Sequence, residues 1–468
     1  MRILIFHGYL LRGTGSNIYN ANLARTLARM GHEVHLLCQD RDWEPPDGVT
    51  VHIPDIGRVL PVYVADTYEG FDAKPFPELT EAELEHYIEA NVEAVRAVPA
   101  PDLALANHLV MGPVILARAA VSPYAVKIHG SALEYTVRPN PERFLPYALE
   151  GIRGAAGVLV GSEHTAGSLF EVLVDEPSLP ERTRLGPPGV DVHEFRPRDP
   201  DLEQLASRPA AAWGGEHGTA DVLRELDLSR DRIVSYVGKL IVSKGVDLLL
   251  AAWPLVVERV PDARLVVVGF GTYREALERF VDALRRGDVA DLREIAARGR
   301  ELEGGPPGEL KYLNAFLDSV DEAWLRAAPA AAERVHFTGR LEHDDLPLLL
   351  PACEAQVMPS TFPESFGMVA AEAAACGALP LSANHSGMAE VTATLRPALP
   401  ETLRQLMSFD VGPGAVREIA AKLVEWLELD PNERGEARAA LAAEAARRYS
   451  WESVASGVID AASGHSNG

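Results

Sequence analysis

Short apolar runs recur along the chain, each followed by a loop and then by a stretch whose apolar residues fall at helical spacing. The first run is Arg2-Ile3-Leu4-Ile5-Phe6, followed by a glycine-rich loop over residues 7–15. A helical pattern over 16–30 comes next, with Ile18, Leu23, Leu27 and Met30 as its apolar positions. Gly31-His32 ends that helix and residues 33–38 read as the next strand. Strand, loop, helix, strand is the building block of a doubly wound parallel sheet. The block repeats: residues 103–106 precede a helix-like 112–120, Tyr124–Ile128 is strand-like, and Gly157–Val160 is a short strand ahead of Ser162.

Residues 187–191 and Arg196-Pro197 are rich in turn formers and read as a linker, while 198–228 show no clear period. A second set of blocks then begins. Residues 233–237 are a strand followed by Gly238 and a loop, 246–260 are helical despite Pro254, and 265–268 are a strand ending in Gly269-Phe270-Gly271. Further strands are expected over 334–338, 355–358 and 378–381. The charged, Ala- and Leu-rich stretch before residue 335 is too long for a simple strand-to-helix connection. It reads as a helical insertion over about 272–334. Residues 416–427, 432–449 and 451–462 are expected helices, with 463–468 frayed.

A chain of 468 residues has room for two to three domains. No run of 18 apolar residues occurs, so no transmembrane segment is expected, and the N-terminus lacks the core and cleavage site of a signal peptide. Cys38, Cys353 and Cys376 stand apart without metal-ligand spacing, which points to a reducing, cytoplasmic setting and to buried small hydrophobes. The net charge of −24 changes the list of partners. Residues 1–195 alone hold 15 Lys+Arg against 26 Asp+Glu, so the excess is not confined to a tail. Such a surface repels phosphate backbones and anionic lipid headgroups, which excludes nucleic acid as a partner and leaves pockets for small anions open.

Four stretches carry candidate chemistry. In PESFGMVAAEAAACG, residues 363–377, Glu364 and Glu372 flank a segment of small apolar residues. Carboxylates there are costly unless hydrogen-bond donors meet them. Residues 368–376 are strong helix formers closed by Gly377, so Glu364 lies at or before a helix start. The amides of Ser365, Phe366 and Gly367 are then presented at a helix N-terminus, which suits an anion. Glu372, among alanines, suits a diol; the plainer reading is a capping Glu364 and a chance buried Glu372. Lys239 and Lys244 follow a strand in GKLIVSKG and can converge on a diphosphate, or be two solvated lysines. The loop Arg12-Gly13-Thr14-Gly15-Ser16 can bring backbone N–H groups to a ligand, with Ser16 as a helix cap. His129, next to Gly130 at a strand end, either faces a ligand or is simply a satisfied polar side chain. Asp40-Arg41-Asp42 reads as a solvated loop rather than a metal site, and the lone Gly269-Phe270-Gly271 is weak evidence for a nucleotide.

Taken in order and spacing, these residues resemble the family 4 glycosyltransferases of GT-B fold over nearly the whole chain. Glu364 and Glu372 with Phe366-Gly367 look like that family's E-x7-E motif. Gly238-Lys239-Leu240 with Lys244-Gly245 looks like its G-R-L-x-x-x-K-G loop, Lys239 standing where the family has Arg. Residues 12–15, Gly31-His32-Glu33-Val34, Ile128-His129-Gly130-Ser131, residues 188–191 and Trp451 also fit. The resemblance implies an α/β protein of two Rossmann-like doubly wound domains facing across a cleft. Residues 1–195 would form the acceptor-side domain with helix 450–462 packing back on it, and residues 196–449 the nucleotide-sugar domain with the insertion.

The same resemblance implies retaining transfer of a sugar from a nucleotide-diphosphate sugar, with no metal and no cofactor. Lys239 and Lys244 would hold the diphosphate and neutralise the leaving group. Glu372 would accept the ribose hydroxyls, while Glu364 and the amides of Phe366, Gly367 and Met368 would meet the donor sugar and phosphate. His129 would contact the sugar, and Gly13, Gly15 and Ser16 would approach the diphosphate. Arg340 and Leu341 would cradle the base, expected on family usage to be uracil. With no nucleophilic carboxylate evident, front-face displacement is the expected mechanism. The acceptor is expected to be a soluble small molecule or saccharide, lined by residues 61–77. A sugar phosphorylase, a nucleotide-sugar epimerase and a non-catalytic nucleotide-sugar binder are the alternatives.

Overall fold

The computed structural model describes residues 1–11, 15–63, 70–208, 219–364 and 366–464. Gly13, with Arg12 and Thr14, lies outside the described residues, as do Ser365 and part of the 61–77 loop. The chain divides into two compact units, Met1–Gly189 with Tyr449–Gly468, and Val190–Arg448.

The strands of the first unit are β1 (Arg2–Phe6), β2 (Glu33–Leu37), β3 (Val49–His52), β4 (Val59–Val62), β5 (Asp72–Pro75), β6 (Leu103–Asn107), β7 (Tyr124–Ile128), β8 (Gly157–Val160) and β9 (Thr183–Leu185). Seven form one parallel sheet in the order β3-β2-β1-β6-β7-β8-β9, and β4 pairs with β5 apart from it. The apolar runs are continuous because the sheet is covered on both faces. Along β1 the side chains alternate. Leu4 and Phe6 join a core with Leu84, Ile88 and Ile115, while Ile3 and Ile5 join one with Leu23, Leu27, Trp451 and Val458. The second core is where the helix Trp451–Ala462 packs beside the helix Gly15–Arg29.

The second unit contains β10 (Arg232–Val237), β11 (Ala263–Val268), β12 (Val335–Gly339), β13 (Cys353–Met358), β14 (Leu379–Ala383) and β15 (Ser408–Phe409). All pair in parallel in the order β12-β11-β10-β13-β14-β15. The helix Val246–Arg259 lies under helices Glu322–Ala332 and Ala415–Glu428, with Trp253, Trp324 and Trp426 fully buried. Trp324 Nε1 donates to Ala251 O at 3.0 Å and Trp426 Nε1 to Glu354 O at 2.9 Å, so two of the three indoles are satisfied in place. Between β11 and β12 run helices Arg274–Arg286, Val289–Arg298, Lys311–Leu317 and Glu322–Ala332. The last of these contributes to the core, so the long connection is built into the domain rather than appended to it.

Several elements lie where the sequence period is weak. The helix Glu81–Ala97 starts at a capping box in which Thr80 Oγ1 accepts the Glu83 N–H and Glu83 accepts the Thr80 N–H. Helices Pro141–Arg153, Glu163–Val172 and Ser386–Leu395 complete strand-helix repeats, and the stretch without clear period holds Leu202–Ala206 and Thr219–Glu225. The three cysteines are free and buried, as expected.

Candidate functional site

In the second unit β10 lies between β11 and β13, so the chain leaves β10 toward one edge of the sheet and leaves β13 toward the other. The two loops part at the carboxyl ends of these strands, the position where open α/β sheets bind ligands. Both candidate motifs sit on these loops.

After β10 come Gly238 and Lys239, then a 3-10 turn, Val242–Lys244, and Gly245 at the start of the helix Val246–Arg259. Gly245 has φ +65°, and a Cβ there would lie 2.1 Å from Pro359 O. Only glycine allows the β10 loop to come this close to the β13 loop. Thr361 N–H donates to Ser243 O at 2.8 Å across the same gap. These contacts bring Lys244 Nζ onto Glu364 Oε1, their side chains 27% and 25% exposed. Ser360 Oγ donates to the same carboxylate oxygen. Glu364 is further held by its backbone: its N–H donates to Ser386 Oγ at 2.9 Å, and its carbonyl accepts the Gly387 N–H at 2.9 Å. Ser386, at φ +53°, opens the helix Ser386–Leu395 after β14 in a backbone region that non-glycine residues rarely occupy. Lys239 is exposed on the same loop, and its carbonyl accepts the Tyr236 hydroxyl at 2.8 Å.

Gly367 precedes the helix Met368–Ala375, with Phe366 and Met368 half-buried on either side. Glu372, inside that helix, is 2% exposed. Its partner is His343, whose Nε2 donates to Glu372 Oε1 at 2.9 Å. His343 lies in the turn after β12, three residues past Arg340, with the Phe195 ring 5.1 Å away. Burial disfavours its charged form, but the hydrogen bond and charge of Glu372, with Asp344 and Asp191, outweigh it and raise the ring above the ordinary 6.5. Arg340 is exposed; its guanidinium lies over the Phe270 ring at 5.2 Å and its Nε is 2.8 Å from Glu342 Oε1. Leu341 is half-buried beside it. Gly269 and Gly271 belong to packing: a Cβ on them would lie 1.9 Å from Gly238 O and 2.3 Å from Leu240 O, so the β10 and β11 loops touch backbone to backbone.

In the first unit the helix begins at Gly15, so Ser16 is its second residue and not its cap, contrary to expectation. Ser16 and His129 meet through a hydrogen-bond network. His129 Nε2 bonds Asn107 Oδ1 at 2.8 Å, Asn107 Nδ2 donates to Phe6 O at 3.0 Å and Asn20 Oδ1 at 2.7 Å, and Asn20 Nδ2 donates to Ser16 O at 2.8 Å and His7 Nδ1 at 3.0 Å. His7 Nε2 closes the chain on Leu10 O at 3.0 Å and Asn17 Oδ1 at 2.9 Å. Carbonyls accept only, so Phe6 O and Ser16 O fix both amide orientations. Asn107 Oδ1 must then accept, His129 carries its proton on Nε2, and Nδ1 is left as the lone pair. Burial, then the charges of His108, Lys127 and His7, push His129 well below the ordinary histidine value, so the ring is neutral at pH 7. Burial likewise holds His7 down at about 4 and the Lys127 ammonium down at about 7. Asp40 is not a solvated loop residue as expected. It is buried, Oδ2 accepting the Leu11 N–H at 3.0 Å and Oδ1 the Asp42 N–H at 3.1 Å, because the chain entering the glycine loop needs a partner there. No group of three or more metal-ligating side chains occurs among the described residues.

Sequence reasoning therefore names Lys244, Glu364 and Glu372 but passes over His343, Ser386, Asn20 and Asn107. The only signal for Ser386 is its place in a Gly-containing turn after a strand, and for Asn107 its place at the end of β6.

The family model for Glycosyltransferase Family 4 matches residues 13–194, and models for Glycosyl transferases group 1 match residues 231–300 and 326–447. A D-inositol 3-phosphate glycosyltransferase of Frankia alni is 26% identical over 461 residues, 95% of this chain and 93% of that protein. A GDP-mannose-dependent monoacylated alpha-(1-6)-phosphatidylinositol monomannoside mannosyltransferase of Corynebacterium glutamicum is 26% identical over 272 residues, 57% of this chain and 52% of that protein. Among solved structures, HepE of Anabaena, in complex with UDP and glucose, superposes with TM-score 0.57 at 17% identity over 99% of both chains. These likenesses establish the GT-B fold of paired α/β domains.

The His343–Glu372 pair is testable without substrate. A raised folded value means that the pair stabilises the fold fully below pH 6.5 and loses that contribution as pH rises through the folded value. In an NMR titration the His343 ring should titrate above 6.5 in the native chain. In Glu372→Gln the midpoint should fall, since burial then acts against only the charges of Asp344 and Asp191. An unchanged midpoint contradicts the pairing.

Proposed function

The chain belongs to the family 4 glycosyltransferases, and we propose that it transfers a sugar from a nucleotide-diphosphate sugar, with UDP as the expected carrier, to a soluble acceptor. Transfer proceeds with retention at the anomeric carbon and without a metal. The observation that supports this reading most is the meeting of Lys244 with Glu364, 120 residues apart, at the carboxyl ends of β10 and β13. An ammonium, a carboxylate and the starts of two helices converge there, which matches a ligand that carries both phosphate and sugar hydroxyls.

In this reading Lys244 and Lys239 take the diphosphate oxygens, and the amides of Gly367 and Met368 at the helix start add partial positive charge. Glu364, held by Ser360 and Ser386, accepts hydroxyls of the donor sugar, and Phe366 lies beside it. Glu372 accepts the ribose hydroxyls beside His343. Arg340, resting on Phe270, and Leu341 take the base. In the first unit Gly15 and Ser16 open a helix whose first N–H groups suit an anion, and His129 offers a bare Nδ1 that suits a sugar hydroxyl. The acceptor hydroxyl attacks on the face from which the diphosphate leaves. The new C–O bond forms as the bond to the diphosphate breaks, and the acceptor proton passes to the departing phosphate oxygen. Fixed cations at that oxygen lower the barrier because the charge develops there.

The Anabaena structure with UDP and glucose supports a nucleotide-sugar donor, and the Frankia relative's name supports a small phosphorylated acceptor. The name of the Corynebacterium relative points to GDP-mannose and a lipid. The charge of −24 weighs for a soluble acceptor over one embedded in an anionic membrane. No helix among the described residues is long and apolar enough to cross a membrane, and free buried cysteines suit the cytoplasm.

Lys244→Ala should lower turnover by roughly 10² or more, measured as kcat with a nucleotide sugar under saturating acceptor. Near-normal turnover removes Lys244 from the leaving-group role. Activity should also persist in EDTA, and loss on chelation with recovery on Mn²⁺ refutes the metal-independent mechanism.

A further inference from the structure

The long connection between β11 and β12 reaches the lysine loop through Glu303. This residue ends the 3-10 turn Arg300–Glu303, and its Oε2 accepts the Val242 N–H at 2.7 Å. Val242 is the first residue of the Val242–Lys244 turn, and Ile241 before it makes no side-chain cap. The first N–H groups of a helical turn have no partner within it. Glu303 thus does from 61 residues away what Asp or Ser at the cap position does locally. Its side chain is only 11% exposed, and Oε1 lies 3.2 Å from Arg300 Nε. A carboxylate beside a phosphate site would ordinarily repel the ligand; here one oxygen is committed to an arginine and the other to a backbone donor.

The turn that carries Glu303 is itself fixed. Gly299 and Gly308 pair as an isolated bridge, and a Cβ on Gly299, at φ +49°, would lie 1.9 Å from Gly308 O. The same connection holds the β10 loop at a second point, the Tyr273 N–H donating to Leu240 O at 3.0 Å, with the Tyr273 ring fully buried. The lysine turn is clamped between the β13 loop and the connection that looked like an insertion.

We propose that Glu303 is a positioning residue for the donor diphosphate: it fixes the Val242–Lys244 turn so that the Lys244 ammonium stands beside Glu364 at the carboxyl ends of β10 and β13. The inference rests on the donor-site reading given above. It assigns to the β11–β12 connection a part in substrate binding, carried by one hydrogen bond.

Calorimetry separates this role from mere support of the fold. The native chain, Glu303→Gln and Glu303→Ala are each titrated with UDP, GDP and ADP, and then with the monophosphate of whichever nucleotide binds. Glu303→Ala should weaken the diphosphate about tenfold or more and leave the monophosphate nearly unchanged, since a lost cap loosens only the lysine turn. Glu303→Gln keeps an oxygen for the Val242 N–H and should bind nearly as the native chain does. Equal diphosphate affinity in Glu303→Ala overturns the inference while leaving the donor site standing. A parallel loss of both ligands, or a Gln variant no better than Ala, shows a general structural role and overturns it too. If the native chain binds none of the diphosphates, the donor-site reading falls and this inference with it.

Discussion

The candidate site depends on how two loops that part at a switch point of a parallel sheet are tied together. Nothing in the strand pairing joins them, because β10 and β13 end side by side and their chains then leave in opposite directions. Three short contacts close the gap: the Thr361 N–H to Ser243 O, the approach of Gly245 to Pro359 O that excludes any Cβ, and Lys244 on Glu364. Each lies within a few residues of the others, so loss of one loosens the rest. An ion pair this exposed adds little stability by itself. Its value is geometric, since it sets an ammonium beside a carboxylate at the carboxyl ends of β10 and β13.

The two units handle polarity in different ways. In the second, both candidate carboxylates have donors: Glu364 has Lys244 and the Ser360 hydroxyl, and Glu372 has His343. A ligand entering there exchanges partners and does not leave an acid bare in an apolar helix, which would be expensive. In the first unit, His7, Asn20, Asn107 and His129 form a chain of neutral groups whose hydrogen-bond directions are fixed by backbone carbonyls at both ends. The outcome is a histidine whose outer nitrogen can only accept. Such a group suits a sugar hydroxyl and does not suit a phosphate oxygen.

The parts of the fold legible in the sequence are those whose cause is local. Residues 233–237 and 265–268 are apolar enough to announce buried parallel strands, and the last helix shows the same bounds in sequence and structure, 451–462. The spacing of Glu364 and Glu372 was equally plain, because both lie on one short segment. What escaped reading depends on contacts through space. His343 meets Glu372 across 29 positions and Asn107 meets Asn20 across 87, and no period or composition relates them. Asp40 looked solvated because its neighbours are charged, yet it is buried by a backbone N–H 29 residues earlier. The helix Glu81–Ala97 carried a readable capping box in Thr80 and Glu83, but its apolar face is diluted by glutamates. The stretch before β12 was legible as helical and not as core, because Trp324 declares its partner, Ala251 O, only once folded.

The central claim is that the carboxylate of Glu372 receives the ribose hydroxyls of a nucleotide diphosphate. It is tested most directly by calorimetry of the bound nucleoside diphosphate against its 2′,3′-dideoxy analogue, in the native chain and in Glu372→Ala. Hydrogen bonds to a buried carboxylate are worth about 1.5–3 kcal/mol, so the native chain should prefer the full ribose by about tenfold or more. That preference should vanish in the variant. Equal affinity of the native chain for the two ligands, or a preference that survives Glu372→Ala, contradicts the account.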